Sequence, residues 1–337
     1  MFVFKKWGII FAVVMFVLSA CSKNETGEES EERQEVLYTA PFTGVEYEEE
    51  VTQRPILVTI NNHPQARPQS GIAQADVVFE MVAEGNITRF LALFQSEIPD
   101  KIGPIRSARD YFIDIADGLD AFYIAHGYSP DAQSLLNAGV VDHINGMQYD
   151  GVLFDRSPNR KAPHNSYITK ESLIAGAEKV GASMEIEKTP KFSFYDSIDG
   201  AKIGSTVSGI SIQYGTDSSF ENFYSYISEE GMYERKSAGI VTIDEETQEP
   251  VLLSNLIFME IPHKTIDNKG RKELTLTDGG NAYLFQAGVM KEIEWANVDG
   301  VLVPMENGVP AKLVKGKTWI SFVPTNIGLE NMVNTLP

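Results

Sequence analysis

A short apolar run at the amino terminus constrains where this chain folds before anything constrains how. Lys5 and Lys6 precede Trp7 to Leu18, a stretch without charge, and Ser19, Ala20 and Cys21 follow it. A bilayer-spanning helix needs roughly twenty apolar residues, so the run is too short to be a permanent span. A positive end, an apolar middle and small residues at its close are the parts of a secretory signal. The remainder is therefore expected to fold outside the cytoplasm.

Leu18-Ser19-Ala20-Cys21 resembles a lipobox, the cleavage motif of bacterial lipoproteins. That resemblance implies cleavage before Cys21 and lipid, palmitate included, on its sulfur. It places the chain on the extracytoplasmic face of the cell membrane, held by two or more acyl chains where one would hold only marginally. Cys21 is the one cysteine of the sequence. Once acylated it leaves no thiol, and so no disulfide, no cysteine nucleophile and no thiolate metal site. Stability must then come from a buried core, and 43% hydrophobic residues with 18 Phe and 13 Tyr are enough to build one. The net charge of −19, with no basic tract of four residues, argues against a nucleic-acid partner.

Residues 21–53 are rich in glutamate and poor in apolar side chains, a composition that does not offset the entropy of ordering. They are expected to form an acidic, disordered tether behind the signal, residues 1–20. Residues 54–188 alternate strand and helix patterns. Pro55 to Ile60 reads as a buried strand, and Ala75 to Val82 with Ile87 to Gln95 as a hairpin across Glu84-Gly85-Asn86. Ser107 is expected to cap a helix, and Ser129-Pro130 to open a second. Thr169 to Val180 reads as a third, stopped by Gly181. Residues 189–337 are mostly β in pattern, with Ala287-Gly288 as a hairpin turn and Trp319 to Val323 as a last strand. The expected class is α+β, an amino-terminal α/β layered domain followed by a mostly β carboxy-terminal domain.

No phosphate-binding glycine loop, zinc-binding helix motif or serine elbow is present. The polar residues that stand out cluster in the amino-terminal half, mostly behind strands. The candidate anion-binding residues are Arg67, Arg89, Arg106, Arg109 and Arg156. The candidate polar site consists of Asn62, His63, Glu80, Glu84, Asp110, His126, His164 and Asn165. Guanidinium forks match phosphate and carboxylate. Arg106 and Arg109 are spaced to share one face of a helix start, where the helix dipole adds positive charge. The alternative is that these arginines pair structurally with Glu80, Glu84 and Asp110. No close histidine pair suggests a metal site.

At these residues the chain resembles a known family, the YerB-like lipoproteins of Gram-positive bacteria, whose function is unknown. The resemblance rests on Asn61-Asn62-His63-Pro64-Gln65-Ala66-Arg67-Pro68-Gln69-Ser70-Gly71, Ala83-Glu84-Gly85-Asn86-Ile87-Thr88-Arg89-Phe90, Gly103-Pro104-Ile105-Arg106-Ser107-Ala108-Arg109 and Pro163-His164-Asn165-Ser166-Tyr167. Asp267, Gly270-Arg271 and Gly316-Lys317-Thr318-Trp319-Ile320 extend it to the carboxy-terminal half. It implies two domains and a lipid anchor, and it supplies no catalytic mechanism. The order of elements around Ile105-Arg106-Ser107-Ala108-Arg109-Asp110 is also similar to LytR-CpsA-Psr enzymes, although the usual Ile-Pro-Arg-Asp order is altered here. That likeness implies a Mg²⁺-dependent phosphotransferase acting on polyprenyl-pyrophosphate-linked glycopolymers, with Arg106, Arg109 and Asp110 carried over. Such analogy of order does not establish function.

Three readings follow. The first, and favoured, is an anchored protein without cofactor or assigned catalytic residue, which binds an anionic cell-wall polymer or an envelope protein. The second is the Mg²⁺ enzyme, and the third a scaffold. They differ in whether acidic and basic groups converge in a deep pocket.

Overall fold

The computed structural model describes residues 37–188 and 192–337. The expected signal, Cys21 and the first part of the expected tether lie outside these residues. The amino-terminal half contributes β1 (Ile56–Asn61), β2 (Val77–Glu84), β3 (Ile87–Phe94), α1 (Asp110–Gly118), β4 (Phe122–Ala125), α2 (Pro130–Asn137), β5 (His143–Asn145) and α3 (Lys170–Val180). The carboxy-terminal half adds β6 (Gly209–Gln213), β7 (Glu221–Ile227), β8 (Met232–Ser237), β9 (Ile240–Val241), β10 (Asn255–Ile261), β11 (Gly280–Gln286), β12 (Val289–Val298), β13 (Val301–Glu306), β14 (Thr318–Pro324) and β15 (Val333–Leu336). The class is α+β, with the second half mostly β.

One twelve-stranded mixed sheet runs through both halves in the order β13-β12-β11-β10-β14-β2-β3-β1-β4-β5, extended by short strands. β14 lies parallel to β2, pairing Trp319 with Val78 and Ser321 with Glu80, and parallel to β10 on its other side. β2 and β3 form the expected hairpin. β1, β4 and β5 run parallel to one another. The expected boundary at 188/189 therefore does not divide two independent sheets, because backbone hydrogen bonds of β14 join the halves.

Both faces of the sheet's central strands are covered, so β1, β3 and β4 are buried almost throughout, whereas the outer strand β12 alternates. Ile56, Val58 and Ile60 face one core, and Leu57 faces the other. The period-2 pleat explains this split. On the second face lie Tyr111, Phe112, Ile115 and Ala116 of α1 and Leu136 of α2. On the first lie Leu173 and Ala177 of α3 and a six-stranded sheet, five strands in the order β9-β8-β7-β6-β15 with the short strand Leu252–Leu253 also paired to β8, which contributes Ile210, Tyr224 and Tyr233.

The helix signals hold at two places. The Ser129 side chain accepts from Ala132 N ahead of Pro130, and Thr169 caps α3, which ends on left-handed Gly181. The tether expectation is corrected over residues 37–53. Tyr38–Thr39 pairs with Glu46–Tyr47, and Ala40 and Phe42 are buried. Phe42 packs edge-on to Phe192 at 6.0 Å, so one aromatic outweighs an acidic composition. Among the described residues, no helix is long and apolar enough to cross a membrane.

Candidate functional site

Asn61, Ala125 and Asn145 end three adjacent parallel strands, β1, β4 and β5. The carboxyl ends of parallel strands are where α/β sheets commonly place ligands. Residues 104–108 cross these ends in extended form. Asn61 N donates to Pro104 O, Arg106 N to Thr59 O, His126 N to Arg106 O and Ala108 N to Gly127 O, each at 2.8 to 2.9 Å. This lacing fixes Arg106 and corrects two helix expectations. α1 begins only at Asp110, with Arg109 extended as its cap residue, so Arg106 and Arg109 do not share a helical face. Ser107 caps nothing and donates instead to His126 O.

Three arginines gather here around one acid. Glu84 lies 3.6 Å from both Arg89 and Arg109. Arg89 also donates to Ser107 O at 2.7 Å, and Arg109 to Ala108 O at 2.9 Å. Arg106 makes no ion pair among the described residues, and its side chain reaches only Pro163 O at 3.4 Å. The Nε atoms of Arg106 and Arg109 are buried without an acceptor among the described residues. Burial, then repulsion by Arg109 and Arg106, pulls Arg89 down to about 9. Burial likewise lowers Arg106, against the pull of Glu84.

Histidines border this strip. His63 and His164 stack with ring centres 4.6 Å apart, and His164 Nδ1 lies 2.8 Å from Asn61 Nδ2. His126 Nδ1 meets Ser166 Oγ at 2.7 Å, and its Nε2 meets Arg156 at 2.9 Å. Arg156 is held by Asp150 and donates to Asn165 Oδ1 at 3.1 Å. All three imidazoles are held below their ordinary value, first by burial, then by neighbouring charge: Arg106 for His63, Arg156 for His126 and, when protonated, His63 for His164. Gly146 makes room for His126, since a Cβ there would run into its ring.

The other expected residues sit elsewhere. Strand parity sends Glu80 to the face opposite Arg89, toward the six-stranded sheet. There Glu80 has no exposed surface and accepts from Asn62, Thr88 and Asn222 on Oε1 and from Arg235 and Trp319 on Oε2. Asn62 belongs to this buried network and accepts from Arg67 Nε at 3.0 Å. Asp110 is raised by burial, and the acids nearest it electrostatically are Asp131 and Glu273. Among the described residues, no group of three or more His, Cys, Asp or Glu side chains could hold a metal ion. The sequence reading missed Arg235, Asp150 and Ser166 as partners of Glu80, Arg156 and His126. Arg235 sits on the buried face of Met232–Ser237, but that segment has no apolar–polar alternation in its sequence, so no pattern marked it.

These features define a two-part α+β protein built on one shared sheet, with an arginine-lined face at its strand ends. The chain belongs to the family described as "Protein of unknown function (DUF3048)", whose N-terminal domain matches residues 42–183 and whose C-terminal domain matches residues 210–320. It is 40% identical over 324 residues to "Putative lipoprotein YerB" of Bacillus subtilis (strain 168), a match covering 95% of this chain and 96% of the relative. It is also similar to the crystal structure of the YerB protein from Bacillus subtilis, with a TM-score of 0.82 over 89% of this chain and 99% of that one.

Proposed function

We propose that this chain is a lipoprotein anchored through Cys21 on the outer face of the cell membrane, and that the strip around Arg106 binds an anionic envelope component. The curated relative's name supports the anchor. The observation that carries the binding reading is charge imbalance. Arg89, Arg106 and Arg109 face a single carboxylate, Glu84, in a chain of net charge −19. Two of these guanidiniums also keep a buried Nε without an acceptor among the described residues. Buried donors are nearly always satisfied in folded proteins, so these two call for an oxygen acceptor, from ordered water or a ligand. Phosphate fits best, because several oxygens can engage Arg106 and Arg109 together. A phosphate-bearing wall polymer is the ligand class this favours.

The test is titration of the full chain with glycerol-phosphate oligomers, muropeptides and a neutral oligosaccharide, read by calorimetry. The phosphate oligomers should bind, and binding should weaken with salt. Arg106→Ala should lower affinity about ten- to a hundredfold, the range for one charged hydrogen bond. Equal binding by wild type and Arg106→Ala would sink the proposal.

A further inference from the structure

A cavity that none of Arg89, Arg106 and Arg109 lines lies where the loop after β1 meets the β8–β9 hairpin. Its volume is about 280 Å³. That is just below the ~300 Å³ where ligand pockets usually begin, so an occupant must be small. Pro64, Pro68, Ile240, Val241 and Ile243 supply apolar wall, and Arg67 and Arg235 supply charge.

The two arginines differ in what balances them. Arg235 is paired with Glu80 at 3.1 Å. Arg67 makes three contacts, all to neutral oxygens: Asn62 Oδ1, Asn62 O and Ser219 O. A guanidinium has five N–H donors. Each Nη of Arg67 therefore keeps one N–H without a protein acceptor among the described residues, and no carboxylate pairs with it there. Burial and the nearby Arg235 pull Arg67 down to about 10, against the pull of Glu80. Arg235 Nε, on the same cavity, is also without an acceptor among the described residues. The cavity thus joins a short apolar wall to a guanidinium that has no direct ion pair among the described residues and keeps two N–H donors for a ligand.

We propose that this cavity binds a small carboxylate with an apolar body, its carboxylate on Arg67 and its body against Pro68, Ile240 and Ile243. Two free guanidinium N–H groups can serve a carboxylate's two oxygens. A bulky phosphate polymer does not fit the volume, which separates this site from the strip. The same chemistry is offered by a free aliphatic acid and by the carboxyl end of a peptide that finishes in an apolar residue.

The test titrates the full chain, with isoleucine methyls labelled for NMR, against 4-methylpentanoate and N-acetylglycyl-leucine. Their carboxamides serve as controls. The Ile240 and Ile243 methyl signals should move with one or both acids. The amides should bind about ten- to a hundredfold more weakly. A response to the acid alone assigns a free ligand, and one to the peptide alone assigns a chain end. Arg67→Gln should abolish the response, but it also removes the contacts to Asn62 and Ser219. Ile240→Glu is the second variant, because Ile240 is 73% exposed and the fold does not lean on it. It should weaken the acids at least about tenfold by repulsion. Equal binding of acid and amide, or no movement of either methyl, overturns the proposal. So does binding that Arg106→Ala removes and Ile240→Glu leaves intact.

Discussion

Replacing Glu80 by glutamine exchanges one carboxylate oxygen for an NH₂ group at a point where every neighbour donates. In the native protein its two oxygens accept five hydrogen bonds, from Asn62, Thr88, Asn222, Arg235 and Trp319. Whichever way the amide turns, at least two of these donors lose their acceptor and face another donor. Arg235, with 1% of its surface exposed, also loses its counter-charge. Removing one partner of a buried ion pair typically costs about 3–5 kcal/mol. At roughly 2 °C per kcal/mol for a chain of this size, the unfolding midpoint should fall by ~6–10 °C. Calorimetry measures the fall, and Trp319 fluorescence reports on the same site because its Nε1 donates to Glu80. A second variant that also carries Arg235→Met should lose less than the single one, since removing both charges leaves neither stranded. A drop of less than about 2 °C for Glu80→Gln would refute the view that this network holds the two sheets together.

Three further outcomes follow. Phe42→Ala should cost about 3–5 kcal/mol in denaturant unfolding, because Phe42 is buried against the sheet core and Phe192; a cost under about 1 kcal/mol would return residues 37–53 to the role of tether. Gly146→Ala should push His126 off Ser166 and Arg156 and destabilise by about 1–3 kcal/mol, with the His126 ring resonances shifted in NMR spectra. His263 is lowered from 6.5 to about 4 by burial, so the unfolded chain binds its proton first as pH falls. Stability present above pH 6.5 is then lost between about pH 6.5 and pH 4, roughly 2 kcal/mol of it by pH 5. The His263→Gln variant should lack that part of the acid sensitivity, and identical pH profiles would count against the assignment.

Local signals in the sequence located local structure. The run Ile56–Asn61, the hairpin around Gly85 and the capped helices α2 and α3 all lie where pattern and cap chemistry put them. Two kinds of information were not local. Pairing was one: the parallel seating of β14 between β2 and β10 joins residues far apart in sequence, and no periodicity reports it. Side was the other. Glu80 and Arg89 are both candidate residues near one turn, yet pleat parity sends one inward toward Arg235 and the other toward α1. The gathering of Arg89, Arg106 and Arg109 was foreshadowed by their residue type. Its geometry depends on the extended crossing of residues 104–108, which the helix-like spacing of Arg106 and Arg109 disguised.

The place of β14 has a consequence for how the protein is made. β14 follows both of its partners, β2 and β10, in the chain. A growing polypeptide that has emerged as far as residue 317 still carries β2 and β10 with an unpaired edge each, and its central sheet is split in two. Closure must wait until Thr318–Pro324 is available, and non-local parallel pairing is itself slow. A seam strand that follows both of its partners in the chain thus sets the moment at which the central sheet can close. It also means that a product truncated before Thr318 would present two open strand edges to its neighbours, the surface from which aggregation starts.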